Sequence, residues 1–391
     1  MTPSLRHLRV FLAVLDEGTV TAAARVCHVS QPAASQAMAR LEAEAGMALI
    51  HHGREGAGPT EAGLAYGHRV RRALARLDTA LAALAPRLVL TATRAQLMAL
   101  IAVRDAENFT LAAKRLGLSQ PSVHRAVTQL ESEAGRPLFK RTGKRMQPAR
   151  AAQALADAAR LCFSELEQAA AELGDMAGRE AGQIVIGAMP LSRSIVLPRA
   201  LAEFRRQRPT LPLRIMDGPY EDLLLGLRRG EIDLLIGALR QPAPVPEVVE
   251  EALFTDDLVL VARPGHPLLS GRPDPARLAD YPWILPREDT PSRAHFETAL
   301  SRLGGAGLSR PATIECGSAV LMRELLLLSD HVGCISRLQA GAEIALGALI
   351  PLELALPDTT RAIGVTTRDD WLPTAAQAQF VEILRRVGQT L

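Results

Sequence analysis

Apolar positions along the chain keep a helical rhythm over its first half and switch to short runs in the second. Between Gln96 and Asp105, Leu97, Leu100, Ile101 and Val103 recur at helical spacing and predict a first helix. Thr110 is expected to cap a second helix, Leu111 to Leu116, by satisfying a free backbone N–H, with Gly117 ending it in a left-handed turn. Ser119 is expected to cap a third, with Pro121 in its first turn, where a missing N–H costs nothing. Along that helix Val123, Val127 and Leu130 face inward and leave Gln120, Pro121, Ser122, His124, Arg125 and Thr128 on the open face. The run from Arg136 to Arg145 then predicts an extended hairpin with Gly143 at its turn.

The same pattern occurs earlier in the chain. Thr21 to Arg25, Ser30-Gln31-Pro32 and Leu41 to Gly46 match Thr110 to Lys114, Ser119-Gln120-Pro121 and Leu130 to Gly135 at a constant offset of 89 residues. A whole unit therefore repeats without an insertion. Each copy reads as a winged helix-turn-helix, a device for laying one helix in the DNA major groove. In the first copy the outward positions are Gln31, Pro32, Ser35 and Gln36, and the hairpin reads Ile50-His51-His52-Gly53-Arg54-Glu55. After each copy comes a narrow apolar stripe, Val70, Leu74, Leu77, Leu81, Leu84 and then Leu155, Ala159, Cys162, Leu166, Ala169, Leu173. Alternating steps of four and three are what helix–helix pairing requires.

From Gln183 the runs shorten. Ile184–Gly187, Leu213–Met216, Asp233–Gly237 and Leu258–Ala262 read as strands between helices at Val196–Arg208 and Tyr220–Arg229, an α/β pattern with a mainly parallel sheet. A second set follows: Trp283–Leu285, helix Ser292–Leu303, Thr313–Glu315, helix Ala319–Leu328 and Val332–Ile335. Ile363–Thr367 and helix Thr374–Val387 return the chain to the first set. Two lobes joined by crossovers enclose a cleft suited to a small ligand.

Charge sharpens this division. Residues 1–60 hold five Arg and five acids, net 0, and residues 91–150 hold eleven Lys or Arg against four acids, net +7. The 241 residues after them net −7. A cationic module joined to an anionic body suits a nucleic-acid reader carrying a second function. Arg125 and Gln120 are suited to guanine and adenine edges, while Lys140, Arg141, Lys144 and Arg145 on the hairpin would lie along phosphates. The first hairpin has one permanent cation and one acid, so its grip on phosphate should be far weaker.

With 391 residues, 48% hydrophobic and 22% charged, the chain reads as a globular protein of several domains. No run reads as a signal peptide or approaches the roughly 18 apolar residues of a membrane span, so a cytoplasmic protein without membrane contact is expected. Cys27, Cys162, Cys316 and Cys334 are widely spaced and read as buried reduced thiols. His51-His52 lacks partners at ligand spacing, so neither metal nor cofactor is expected. GxSxG, Walker and HExxH signatures are missing, and Gly304 to Gly307 follows a helix and reads as a turn, so an enzyme is disfavoured.

Ala112 to Leu116, Ser119 to Val123, Leu130-Glu131 and Pro137 to Arg141 resemble the LysR-type transcriptional regulators. So do Phe204–Pro209, Leu227 to Gly237 and Arg263 to Leu268, and the resemblance covers essentially residues 92–391. It implies a winged N-terminal domain, a dimerising linker helix and a two-lobed effector domain like periplasmic binding proteins. It also implies dimers or tetramers on double-stranded DNA that respond to a small molecule. Gly187 to Pro190, Asp217 to Tyr220 and Gly237 to Arg240 are similar to a branch tied to sugars and protocatechuate-type acids, so an aromatic acid, another carboxylate or a sugar is the expected effector. The departure is an extra headpiece and linker helix in residues 1–90.

The organisation expected is therefore a first winged helix-turn-helix (residues 1–62), a linker helix (63–91), a second headpiece (92–148) and its linker helix (149–178). A two-lobed α/β domain follows (179–391), with lobe I at 183–263 and 361–391 and lobe II at 264–360. Both headpieces are all-α but for their wings. DNA contacts are expected from Thr21 and Thr110, the outward positions of both third helices, and the cationic hairpin. Helix N-termini facing the cleft suit an anion, which selects Ser192, Arg193, Ser194, Thr290, Ser292, Arg293 and Ser318, with Arg240 and Arg287 as further cations. A DNA-binding protein without effector control is the competing reading.

Overall fold

A computed structural model describes residues 3–53, 56–240, 242–271, 274–288, 290–305 and 312–391. The chain divides into two compact units. The first comprises residues 1–183 with 210–212 and 229–231, and the second the remainder.

In the first unit the 89-residue repeat is structural. Helices α1 (Leu5–Glu17), α2 (Val20–Val26) and α3 (Gln31–Ala45) lead into hairpin β1–β2 (Ile50–Gly53, Gly56–Pro59) and long helix α4 (Glu61–Leu84). After short helix α5 (Leu88–Thr91) the order returns as α6 (Arg94–Ala106), α7 (Phe109–Leu116), α8 (Gln120–Ala134), hairpin β3–β4 (Phe139–Thr142, Arg145–Pro148) and α9 (Arg150–Met176). Identical ties fix each hairpin to its third helix. Glu42 Oε1 accepts from the N–H groups of Leu49 and Ile50 at 2.9 and 3.1 Å. Glu131 Oε1 accepts from Leu138 and Phe139 at 2.8 and 3.2 Å. Arg71 on α4 pairs with Asp16 on α1, and its counterpart Arg160 on α9 with Asp105 on α6.

All the stripe residues of α4 and α9 are buried, and the two long helices pack on each other in one chain. One hydrophobic cluster runs without a break from Leu5 to Leu173, so both copies share a core.

Two expectations are corrected here. Thr110 does not cap the second helix. Asn108 does, accepting from the Thr110 and Leu111 N–H groups at 2.8 and 3.0 Å, and in the first copy Thr19 plays that part for Ala22. The helix starts two residues earlier, at Phe109, whose ring lies against those of His124 and Phe139. The first linker is also not one helix to residue 91. Pro86 forces Ala85 into extended backbone (φ −160°, ψ 129°) and ends α4 at Leu84.

The second unit has two five-stranded sheets. Its elements begin with β5 (Ile184–Ala188), α10 (Pro190–Ser194), α11 (Val196–Gln207), β6 (Leu213–Met216), α12 (Tyr220–Arg228), β7 (Leu234–Ala238) and β8 (Val248–Asp256). The second lobe contains β9 (Leu258–Ala262), β10 (Trp283–Leu285), α13 (Pro291–Leu300), β11 (Thr313–Glu315), α14 (Ala319–Leu328), β12 (Val332–Ser336), α15 (Gly341–Ala345) and β13 (Ile350–Pro351). Strand β14 (Arg361–Arg368) and α16 (Ala375–Gly388) then complete the first lobe.

The strand orders are β6-β5-β7-β14-β8 and β11-β10-β12-β9-β13. Neither sheet is mainly parallel throughout: β14 runs antiparallel to β7 and β8, and β9 antiparallel to β12 and β13. Strand β8 has no counterpart in the sequence reading. Its carboxylates and edge position erase the apolar run, although Val248 and Asp256 at its ends are buried. The lobes are joined where β8 passes into β9 and where the chain re-enters β14.

Candidate functional site

The outer face of α8 is built by its cap and its core residues. Ser119 Oγ accepts from the Ser122 N–H at 3.3 Å, while Val123, Val127 and Leu130 anchor the inner face. That leaves Gln120, Pro121, Ser122, His124, Arg125 and Thr128 exposed, and Thr110 is exposed at the start of α7. Gln120, His124, Arg125 and Thr128 share one shallow hollow. The His124 ring rests 5.1 Å from that of Phe109, which holds it on this face. On hairpin β3–β4, Gly143 takes the left-handed turn at φ 61°. Lys140, Arg141, Lys144 and Arg145 are all exposed around it, with Arg145 3.5 Å from Glu107.

The first copy differs in chemistry. Thr21, Gln31, Pro32 and Gln36 are exposed, but Gln31 Nε2 donates to Ser35 Oγ at 3.1 Å and leaves Ser35 half-buried. Gln36 lies in a hollow with Arg6, His7, His28, Ser30 and Arg40. Cations thus flank the third helix of the first copy directly, a feature the count of charges by segment concealed. The counterparts of Arg6, His7 and Arg40 in the second copy are Ala95, Gln96 and Gln129. His51 Nδ1 sits 2.6 Å from the Gly58 carbonyl, while Arg54 and Glu55 lie outside the described residues.

Between the lobes of the second unit is a cleft of about 490 Å³. Apolar side chains including Met189, Met322, Ile335 and Ile363 line it. Its described charged lining is four arginines, Arg193, Arg240, Arg287 and Arg361, against one carboxylate, Asp217. Arg193 pairs with Asp217 at 2.7 Å. The Arg240 guanidinium lies 3.6 Å above the Tyr220 ring, and burial pushes the Tyr220 hydroxyl pKa up. Thr290 and Ser318 cap α13 and α14, accepting from Arg293 and Leu321 N–H groups at 3.3 Å each, and both line the cleft with Ser292.

Three expected residues do not reach the cleft. Ser192 is buried with its hydroxyl donating to the Met189 carbonyl at 2.7 Å, and Ser194 donates to the Pro190 carbonyl at 3.4 Å. Arg293 turns away to Glu297 at 2.6 Å and the Pro286 carbonyl at 3.1 Å.

Arg361 is the residue sequence reasoning missed. It opens β14 at the junction of the lobes, donates to Ser292 Oγ on α13 and meets Asp256 Oδ2 at 2.7 Å. Asp256 also accepts from Ser336 Oγ at 2.8 Å and the Leu338 N–H at 3.2 Å, so its charge is answered on three sides. The Arg361 Nε is buried without a hydrogen-bond partner among the described residues. Only a basic residue at the head of an apolar strand marks it in sequence, because Asp256 is 105 residues away.

All four cysteines are free. Burial pushes the Cys162 and Cys334 thiols up to about 12. No cluster of His, Cys, Asp and Glu among the described residues could hold a metal ion, and no described helix is long and apolar enough to cross a membrane. Of the glycine turn, Ala306 and Gly307 lie outside the described residues.

An exposed polar helix face beside a cationic hairpin, joined to a two-lobed domain with a basic cleft, defines a DNA-binding regulator with a ligand domain. The family model for the LysR substrate binding domain matches residues 177–389. That for bacterial regulatory helix-turn-helix proteins of the lysR family matches twice, at 5–64 and 95–153. The chain belongs to the LysR family of transcriptional regulators: it binds DNA, its substrate domain modulates it through effectors, and it is not an enzyme.

It is 32% identical to the transcriptional regulator GalR of Pseudomonas putida over 98% of this chain and 97% of that protein, a span that includes both copies. The regulator PcaQ of Agrobacterium fabrum is 29% identical over 72% of this chain and 90% of its own length. Among solved structures, full-length LysG of Corynebacterium glutamicum with bound effector Arg has the same fold. Its TM-score is 0.54 at 20% identity, over 76% of this chain and 98% of that one.

Proposed function

We propose that this regulator carries two tandem winged helix-turn-helix headpieces and that the second, through α8 and hairpin β3–β4, supplies the main grip on double-stranded DNA. Four cations in the second hairpin against one cation and one acid in the sequence of the first support that ranking, since each phosphate contact adds affinity. The C-terminal unit, with two lobes hinged like a periplasmic binding protein, takes a small anionic effector.

The observation that carries the effector reading is the excess of guanidinium groups over an apolar lining: Arg193 and Arg361 are answered by Asp217 and Asp256, and Arg240 and Arg287 line the cleft beside them. Guanidinium forks favour a carboxylate, and the apolar walls favour a compact hydrophobic body. An aromatic acid satisfies both better than a neutral sugar. Arg240, Thr290, Ser292, Ser318 and Arg361 are the proposed contacts. Any oligomer of the kind related regulators form would assemble from chains that each present both headpieces, since α4 and α9 already pack on each other within one chain.

Titration calorimetry of the full chain with a panel of aromatic acids, aliphatic carboxylates and sugars tests this, with DNA affinity measured in parallel. An acid that binds, shifts DNA affinity and loses at least tenfold in affinity with Arg240→Ala or Thr290→Val is expected. Binding of sugars alone, or no shift in DNA affinity with any compound, would remove the anionic-effector reading.

A further inference from the structure

Arg69 of α4 is only 1% exposed, an unusual place for a permanent charge. Its Nη1 lies 3.0 Å from Glu165 Oε1 on α9 and 3.4 Å from Gln168 Oε1, and its Nε donates to Glu172. Arg72, one turn further on, stands 3.6 Å from Glu165. Moving forward along α4 therefore moves backward along α9, so the two linker helices are antiparallel.

The 89-residue offset shows what this cluster does. Arg69 corresponds to Ala158, and Glu165, Gln168 and Glu172 correspond to Arg76, Thr79 and Ala83. Two α4 helices paired in this geometry would set Arg69 against Arg76. Two α9 helices would set Ala158 against Glu165 and Glu172 and strip both carboxylates of their cation. Like-with-like pairing thus leaves the buried Arg69 or the buried Glu165 without an opposite charge, whereas α4 with α9 pairs the two. Charge at the seam selects the unlike partner, and that partner is present in the same chain, where one continuous core already joins the copies.

Equivalent ties, Glu42 and Glu131 to the hairpins and Arg71–Asp16 and Arg160–Asp105 to the linkers, hang each headpiece on its own helix in the same way. Antiparallel linkers then relate α3 and α8 by an approximate two-fold axis, the arrangement in which paired recognition helices meet two half-sites on one duplex. The paired faces are not alike. Gln36 stands where the second copy has Arg125, Arg40 where it has Gln129, and Ala33 where it has Ser122.

We propose that a single chain is the unit that reads one composite, non-palindromic DNA element, with α3 on one half-site and α8 on an unlike second half-site. This rests on the reading that both third helices face DNA. Two identical chains joined two-fold would call for a palindrome; one chain with two different readers calls for its absence.

Two experiments on the full chain test the proposal. Enrichment from a random duplex library, followed by native mass spectrometry on the selected duplex, should yield two dissimilar half-sites at a fixed spacing of about one helical turn or a multiple. One chain should cover both. Gln36→Ala should erase base preference in one half and Arg125→Ala in the other, each weakening binding by roughly 5- to 100-fold. A palindromic element, or a site indifferent to Gln36→Ala but sensitive to Arg125→Ala, would overturn the composite reader and leave the proposed function standing. Failure to enrich any sequence would overturn the proposed function itself.

The second experiment asks where the seam closes. R69E/R72E should lose affinity for the selected duplex at least tenfold, and adding E165R/E172R to the same chain should restore it. Mixing one chain carrying R69E/R72E with another carrying E165R/E172R should not. Equal rescue by mixing would place the pairing between chains and overturn the proposal, and the chain with all four changes, checked by its unfolding transition, separates loss of pairing from loss of folding.

Discussion

At the scale of single residues, the two copies expose costs that a lone headpiece would hide. The turn after the second helix needs left-handed backbone, and the second copy supplies Gly117 at φ 66° where the first has His28 at φ 52°. A side chain in that region costs about 1 kcal/mol that glycine avoids. His28→Gly should therefore raise the stability of the first unit by about 1 kcal/mol, read as a higher midpoint in urea unfolding. No gain would mean that the imidazole makes contacts in its hollow that offset the strain. Arg361 is the opposite case, a residue whose removal should be severe. Asp256 has no side-chain exposure, so Arg361→Ala would leave a buried carboxylate with neutral partners only. A loss of about 3–5 kcal/mol in calorimetric stability is expected, and Asp256→Ala in the same chain should recover part of it. Additive losses would show that the pair acts through packing, not charge.

At the scale of elements, legibility followed local chemistry. Helices α12 and α14 and strands β6, β9, β10 and β11 lie within a residue of where periodicity placed them, and α8 starts behind the expected Ser119 cap, because caps and apolar faces are local signals. Leu130-Glu131 was visible as a motif, but its task was not. Glu131 holds the hairpin root by two backbone N–H groups seven and eight residues away, and nothing in spacing announces that. Strand β8 escaped because its partner β14 is more than a hundred residues distant and supplies the order that its own composition lacks. The long helices offer a further comparison. Thr60 caps α4 by accepting from the Gly63 N–H at 3.0 Å, but the equivalent Ala149 begins α9 without a side-chain cap, in the same extended backbone (φ −66°, ψ 157°). Ala149→Thr should stabilise the first unit by about 1 kcal/mol, measured by thermal unfolding. An unchanged transition would show that water already satisfies that helix end.

At the scale of the whole molecule, the division of labour between the copies is an electrostatic claim with its own observable. The chain's net charge of +3 would suggest weak attraction to DNA, yet the segment holding α6 to β4 nets +7. Phosphate contacts release condensed counterions, so each one made adds about 0.9 to the slope of log affinity against log salt. If Lys140, Arg141, Lys144 and Arg145 all lie on phosphates, replacing the four with Gln should flatten that slope by about 3 to 4. Affinity should fall at low salt and converge with the unmodified protein as salt rises. Base preference should stay as it was, since a hairpin on the backbone positions the reading helix without reading sequence itself. The same measurement on Arg6→Gln with Arg40→Gln should flatten the slope by no more than about 2, because only two permanent cations share the hollow with Gln36. An equal effect from the two sets would mean that the first headpiece holds DNA as firmly as the second. Its cations would then be acting from beside the reading helix instead of from a wing.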